Sequence, residues 1–251
     1  MKVKEIFAKT ILTKTAISSF DYCLNPYVGC GHGCRYCYAS FMKRFTGHKE
    51  PWGEFVDVKV NAPSLLRKQL KRARPGVVAL STVTDPYQPL EKTYQLTRGC
   101  LEALLDHQFS VNILTRSPLC LRDIDLYREF KRVEVGFSIT TDDEEMKRLF
   151  EPHSPSIQSR IQALRTLWQE KIGTYAFIGP MLPLDPTKLV AMLGGLIDEV
   201  LIDRMNYPNK AKAIYRKAGL ERYLEEDYFH LVGMELKERF EEKGIAVSMI
   251  F

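Results

Sequence analysis

The sequence has no long apolar run. Its opening stretch, MKVKEIFAKTILTKTAISSF, is broken by charged or polar side chains every few positions, leaving neither a signal-peptide core nor a spanning segment. A chain without export or membrane insertion is expected in the cytoplasm, where reducing conditions make clustered thiols metal ligands rather than disulfides. Internal repeats, low-complexity tracts and Gly/Ser-rich linkers are also missing. A length of 251 residues therefore reads as one domain over 1–251, with a core at about 22–206 and an extension at 207–251. Strong charge of one sign is lacking too: a net charge of +5 favours an anionic partner without demanding nucleic acid. Hydrophobic and charged fractions of 45% and 27% are those of an ordinary globular protein, which excludes a disordered chain.

Cysteine is scarce, but half of it is clustered. Of six cysteines, Cys30, Cys34 and Cys37 fall in NPYVGCGHGCRYCYA with the spacing C-x3-C-x2-C. Thiolates are the soft ligands that iron–sulfur clusters and zinc select. Four cysteines usually hold an electron-carrying cubane, so three leave one iron open to a substrate or cofactor. Gly29, Gly31 and Gly33 suit a loop that must wrap closely around such a group. The alternative is a zinc site completed by His32 or His48, although structural zinc sites usually use paired short hairpins. Cys23, Cys100 and Cys120 match no second cluster pattern and are expected as buried apolar thiols.

Beyond the cysteine loop the pattern alternates. Helical segments are expected from Tyr38 to Phe45, Ala62 to Arg74, Leu96 to Asp106 and Asp123 to Phe130. Others run from Asp143 to Phe150, Ser156 to Lys171 and Pro186 to Leu196. Strands are expected at Val77 to Ser81, Ser110 to Thr115, Val133 to Thr140, Thr174 to Ile178 and Glu199 to Asp203. Such alternation signals parallel βαβ units, and a charge-rich helical tail from Lys210 to Lys243 would cover a sheet edge. Chemistry in parallel α/β folds gathers at the carboxyl ends of strands. That rule selects 81–85, 115–117, 138–141, 178–183 and 203–206.

The cysteine spacing, with Tyr36 before the last ligand, resembles the radical S-adenosylmethionine (SAM) superfamily. The wider NPYVGCGHGCRYCYA, with TDPYQPLE and EPHSPSIQSRIQALRTL, resembles its spore photoproduct lyase-like branch. The resemblance covers about Asn25 to Asn206. It implies an α/β fold, a partial (β/α)6 barrel of parallel strands with flanking helices and a helical C-terminal tail. It also implies a [4Fe-4S] cluster on Cys30, Cys34 and Cys37, with S-adenosyl-L-methionine on the open iron. Reductive cleavage would give a 5′-deoxyadenosyl radical that takes hydrogen from a substrate, with nucleic acid one candidate. The electron donor would resemble flavodoxin or ferredoxin. By position, Tyr36 helps place adenine, Thr84 and Asp85 meet the methionyl amino group, and Arg116 meets the methionyl carboxylate. Ser138 contacts ribose, and Phe177, Ile178 and Gly179 pack against adenine.

Each assignment has a structural counterpart. Asp85-Pro86 is a good turn opener, Arg116 suits a surface turn, and Ser138 suits a satisfied core hydroxyl. Glu151 and Arg160 read as one buried ion pair supporting the site. Tyr87 and Tyr94 read as packing residues, with a radical relay as the alternative. The lyase's hydrogen-donating cysteine has no counterpart here, because the second strand closes on Ser81 and an O–H bond is too strong to replace S–H. Lesion repair is therefore not expected. The basic residues Arg67, Lys68, Lys71, Arg72 and Arg74 read as a solvated helix face. Lys210, Lys212, Arg216 and Lys217 point more toward nucleic acid, since they follow the last strand. Two other functions stay open: a glycyl-radical activating enzyme that modifies a protein, and a non-catalytic zinc or iron–sulfur module.

Overall fold

The computed structural model describes residues Met1–Ile250, which gather into two compact units. One comprises Met1–Gly33 and Ala39–Val135, the other Cys34–Tyr38 and the chain from Gly136 onward.

The first unit holds strands β1 (Lys2–Ile6), β2 (Leu12–Lys14), β3 (Tyr22–Leu24), β4 (Tyr27–Val28), β5 (Phe55–Lys59), β6 (Val77–Leu80) and β7 (Ser110–Thr115). Its helices are α1 (Ala62–Leu70), α2 (Glu91–Tyr94), α3 (Leu96–Asp106) and α4 (Ile124–Tyr127). A small sheet runs β1-β5-β4, parallel and then antiparallel. The main run is β2-β3-β6-β7, with β3, β6 and β7 parallel and Leu24 opposite Leu80, itself opposite Ile113. Burial alternates along β7, where Val111, Ile113 and Thr115 turn inward, as its period-two pattern requires.

α1 buries Ala62, Leu66 and Leu70 and exposes Arg67 and Lys68, and Lys71, Arg72 and Arg74 are exposed in the turn just after it, so the basic residues lie on the outside. Arg67 also lies 3.6 Å from Glu102 on α3. The helix stops four residues short of the expected Arg74, because Pro75 disfavours helical backbone before it. The helix expected over Asp123 to Phe130 is a 3₁₀ turn at Pro118–Asp123 followed by the single turn of α4. The segment Tyr38–Phe45 is likewise 3₁₀.

In the second unit, β8 (Val133–Ser138) enters at Gly136, followed by α5 (Glu144–Phe150), α6 (Ile157–Gln169), β9 (Gly173–Ile178), α7 (Pro186–Leu193) and β10 (Glu199–Ile202). Each of these helices starts on a side-chain cap: Asp143 accepts from the Glu145 N–H at 2.6 Å, Ser156 from Ser159 at 3.2 Å, and Asp185 from Lys188 at 3.2 Å. The tail adds α8 (Lys212–Ala218), α9 (Glu226–Glu241) and a final strand, β11 (Ala246–Met249). Strand order is β8-β9-β10-β11, with β9, β10 and β11 parallel. The tail is thus helical only in part. Gly244, at φ +72, ends the helical run, Ile245 is buried, and four residues then pair with the edge of β10.

Close backbone approach limits one position near the cysteine loop. Gly53 sits at φ +97, and a Cβ there would lie 2.7 Å from the Gly33 Cα, a backbone atom that cannot swing aside. Gly47 has open space around its Cβ position. Gly53→Ala should therefore cost about 2 kcal/mol and lower Tm by about 4–8 °C. Gly47→Ala should leave Tm unchanged; equal melting curves for the two variants in calorimetry would contradict this account.

Candidate functional site

In the first unit the site is organised around Asp85, which is 5% exposed. Its Oδ1 accepts from the Tyr87 N–H at 2.8 Å and the Thr115 hydroxyl at 2.7 Å. Its Oδ2 accepts from the Arg116 N–H at 2.8 Å and lies 3.2 Å from His32 Nε2. Burial pushes the Asp85 carboxyl up. The His32 imidazole, the Thr115 hydroxyl and the Arg116 N–H outweigh burial and bring it down to about 2.

The turn before Asp85 is tied to the cysteine loop. Asn25 Oδ1 accepts from the N–H groups of Thr82 and Val83, both at 2.9 Å. The Thr84 hydroxyl donates to the Gly29 carbonyl at 2.6 Å. Gln88, fully buried, accepts from the Gly31 N–H at 3.0 Å. Thr84 and Asp85 are therefore brought to the cysteine loop with their side chains engaged by protein. Arg116 is placed there through its backbone N–H and is half-buried.

The rest of TDPYQPLE is anchored by a buried polar network. Tyr87 donates to Asp123 at 2.8 Å and meets the Tyr127 hydroxyl, while Tyr27 donates to Glu91. Arg122 reaches Glu91 at 2.8 Å and Asp123 at 2.9 Å, and Arg98 reaches Asp123 at 2.9 Å. Tyr87 is thus a buried, hydrogen-bonded core residue. Tyr94 bonds Glu5 at 3.0 Å. Cys100 and Cys120 are buried as expected, and burial pushes both thiols up. Cys23 differs: it is half-buried on β3, 3.1 Å from the Thr13 hydroxyl, because that short strand lies beside the edge strand β2.

In the second unit the organiser is Glu151. Its Oε1 accepts from the Tyr36 phenol and from the Thr140 hydroxyl at 3.0 Å. Its Oε2 accepts from Ser154 at 3.1 Å and Arg160 at 2.5 Å. Glu151 and Arg160 are both fully buried. Arg160 also donates to the Ser138 carbonyl at 2.9 Å and to the Pro155 carbonyl. The segment EPHSPSIQSR therefore holds both Tyr36 and the end of β8, while Arg35 donates its N–H to Phe150 at 2.9 Å. Phe177, half-buried, lays its ring over Gly179, where a Cβ would come within 2.2 Å of the ring. Ile178 is buried, and the Ile139 N–H donates to the Phe177 carbonyl at 3.0 Å. Ser138, Phe177, Ile178 and Gly179 thus gather at adjacent strand ends.

The cysteines lie on one loop, Cys30 and Cys34 buried and Cys37 half-buried. The Gly33 N–H reaches the Cys30 carbonyl at 3.4 Å, and the Cys37 N–H reaches the Cys34 carbonyl at 3.2 Å. Among the described residues, no three His, Cys, Asp or Glu side chains already converge as a metal-ion set. What fits a cluster is the thiol donor set itself, and several buried polar atoms of the two units are left over. His32 Nδ1 and Nε2, Ser81 Oγ, Gln88 Nε2, Ser138 Oγ and Asp203 Oδ1 are buried without a hydrogen-bond partner. All lie on the cysteine loop, at carboxyl ends of strands or in the turns that follow them. Trp52 Nε1 and Tyr215 Oη share the condition elsewhere. Ser81 is strained as well, at φ +73. An unpartnered buried polar group costs about 1–3 kcal/mol, so each of these atoms offers a bond that a ligand can complete.

The same geometry weakens a Cys3His zinc site. His48 gives both ring nitrogens to carboxylates, Glu50 at 3.2 Å and Asp57 at 2.7 Å, and His32 faces Asp85. Sequence reasoning missed Asn25 and Gln88, although both stand inside the two motifs already singled out, whereas Thr115 falls in a strand end that the sequence selects.

Two stability outcomes follow. Arg160→Met should cost about 3–5 kcal/mol by leaving Glu151 buried without its cation, whereas Glu151→Leu/Arg160→Met should recover only part of it, because Tyr36, Thr140 and Ser154 lose their acceptor; urea unfolding reads both. Asp85 has a folded value below its unfolded value of about 3.9, so its contribution is complete above that pH and fades as pH falls toward 2. Asp85→Asn should lose about 2 kcal/mol at pH 7, and the loss should shrink steadily as pH falls through about 2. A difference that stays constant across that range would contradict the assignment.

The radical SAM superfamily model matches residues 24–192. An uncharacterized protein of Methanocaldococcus jannaschii is 33% identical over 264 aligned residues, covering 98% of each chain. A radical SAM Nalpha-GlyT isomerase of Pseudomonas phage M6 is 25% identical over 72% of this chain and 35% of its own. A spore photoproduct lyase variant with bound AdoMet and dinucleoside spore photoproduct superposes with a TM-score of 0.68 at 14% identity, over 99% of this chain and 81% of its own. That likeness shows the fold, α/β with parallel strands and flanking helices, and the family uses a [4Fe-4S] cluster and S-adenosyl-L-methionine. The chain belongs to the radical SAM superfamily.

Proposed function

We propose that this chain is a radical SAM enzyme that abstracts hydrogen from a nucleic-acid-derived substrate, with residues 22–206 as its catalytic core and 207–251 as an extension. The observation that carries this reading is the set of unpartnered buried polar atoms at strand ends and beside the cysteine loop. Cys30, Cys34 and Cys37 would hold the cluster. The bound cluster and S-adenosyl-L-methionine supply a 5′-deoxyadenosyl radical, and the chain supplies orientation and exclusion of water.

In this reading the Thr84–Asp85 turn and Arg116 face the methionyl end. Asp85 acts by fixing that turn, since its own oxygens already accept from protein donors. The Ser138 hydroxyl, free of a protein partner, is suited to ribose, and Phe177, Ile178 and Gly179 offer an apolar wall for adenine. Tyr36, with its phenol held by Glu151, contributes through its backbone and ring position. Ser81 in place of a thiol supports a reaction that needs no cysteine as hydrogen donor.

The substrate class draws support from the dinucleoside bound by the lyase neighbour and from exposed Lys210, Lys212, Arg216 and Lys217 just beyond β10. A flavodoxin- or ferredoxin-like protein is the proposed electron donor, and the cytoplasm the proposed compartment. In the described residues no helix is long and apolar enough to cross a membrane.

Anaerobic reconstitution should load about four irons with sulfide per chain. Strong reductant with S-adenosyl-L-methionine should then yield 5′-deoxyadenosine, and Cys34→Ala should abolish both results. A fully loaded cluster that releases no 5′-deoxyadenosine would sink the proposal, and one zinc per chain would favour a metal-binding module. Binding to single-stranded DNA or RNA should weaken steeply with salt; salt-independent binding, or none, removes the substrate class.

A further inference from the structure

Gln88 stands in the TDPYQPLE turn with its side chain fully buried. Its Oε1 accepts from the N–H of Gly31, the residue after Cys30, at 3.0 Å. That bond fixes which way the amide faces, because a backbone N–H needs an acceptor and the NH2 end is donor-only. Nε2 is left buried with two N–H groups and no protein acceptor. His32, two residues from Cys30 and 2% exposed, likewise has Nδ1 without a hydrogen-bond partner, while its Nε2 lies 3.2 Å from Asp85. Buried donors nearly always find acceptors, and Gln88 Nε2 lacks one beside the first cluster cysteine.

We propose that Gln88 contacts the cluster: its Nε2 donates a hydrogen bond to cluster sulfur near Cys30, while its Oε1 holds the loop in register. This rests on the cluster-binding reading above and adds a residue to it. One end of the amide has a structural task, the other an electronic one. A hydrogen bond to sulfur favours the more negative, reduced cluster and raises its potential. The inference needs no change of protonation at any residue.

The test uses reconstituted holoprotein and two variants. Gln88→Met removes donor and acceptor at similar volume, whereas Gln88→Glu keeps an oxygen for the Gly31 N–H and removes the amide donor. In a redox titration followed by electron paramagnetic resonance, each variant should shift about tenfold toward the oxidised cluster at a fixed potential, or about 59 mV downward for one electron. Pulsed measurements in D2O should show that the reduced cluster loses one class of exchangeable-deuteron coupling in both variants. If Gln88→Met keeps the wild-type potential and deuteron coupling, the proposal is overturned, including the case where it only sheds iron faster. A wild-type chain that takes up no cluster would instead defeat the broader cluster-binding reading, so the two failures are distinguishable.

Discussion

The Asp85 carboxylate is the constraint on which the first unit's site depends. It is buried, yet it takes hydrogen bonds from its own turn at Tyr87 and from the end of β7 at Thr115 and Arg116. It also faces His32 on the cysteine loop at 3.2 Å. A carboxylate in such a place stays charged only while those partners remain, so the three segments must keep their relative positions. The surrounding contacts repeat the logic. Asn25 holds the Thr82 and Val83 N–H groups, Thr84 holds Gly29, and Gln88 holds Gly31. Each motif satisfies the backbone of the other.

Glu151 serves the second unit in a comparable way, but its main partner is a buried guanidinium. Replacing such an ion pair with packed apolar residues is often neutral for stability, so stability alone does not explain it. Geometry does. Arg160 supplies donors in a rigid fork that reach Glu151, Ser154, Pro155 and the Ser138 carbonyl together. An aliphatic side chain could fill that volume without fixing the end of β8. The outcome narrows the functional assignments, since the carboxylates that look most like ligand-binding groups in the sequence are saturated by protein.

Much of the frame was legible before any coordinates. β7, α3, α5 and α6 follow from period, because each is long enough to show a repeat. β3, β4 and β11 were not, since each is short and its pairing is set by neighbours distant in sequence, whereas the equally short β6 and β10 show as apolar runs between helices. The cysteine ligands were legible because spacing within one loop is local. The roles of Asn25 and Gln88 were not, because each acts on backbone more than fifty residues away. The ion pair of Glu151 and Arg160 was read correctly, while the partner it holds, Tyr36, lies 115 residues from Glu151.

Ser138 shows where reading by residue type stops. A serine at the end of a strand suits a satisfied core hydroxyl, yet its Oγ is buried without a partner while its carbonyl is held by Arg160. Ser81, at the end of β6, combines an unpartnered hydroxyl with left-handed backbone that a serine adopts only at a cost. Apart from His32 and Gln88 Nε2, the buried carboxylates and turn side chains of the motifs are matched donor to acceptor, often through several bonds. A chain that satisfies Asp85, Glu91, Asp123 and Glu151 so fully has no general deficit of partners. Its local costs are concentrated at the cysteine loop and the strand ends, where a bound group can return them, and natural sequences tend to break their own rules at functional sites.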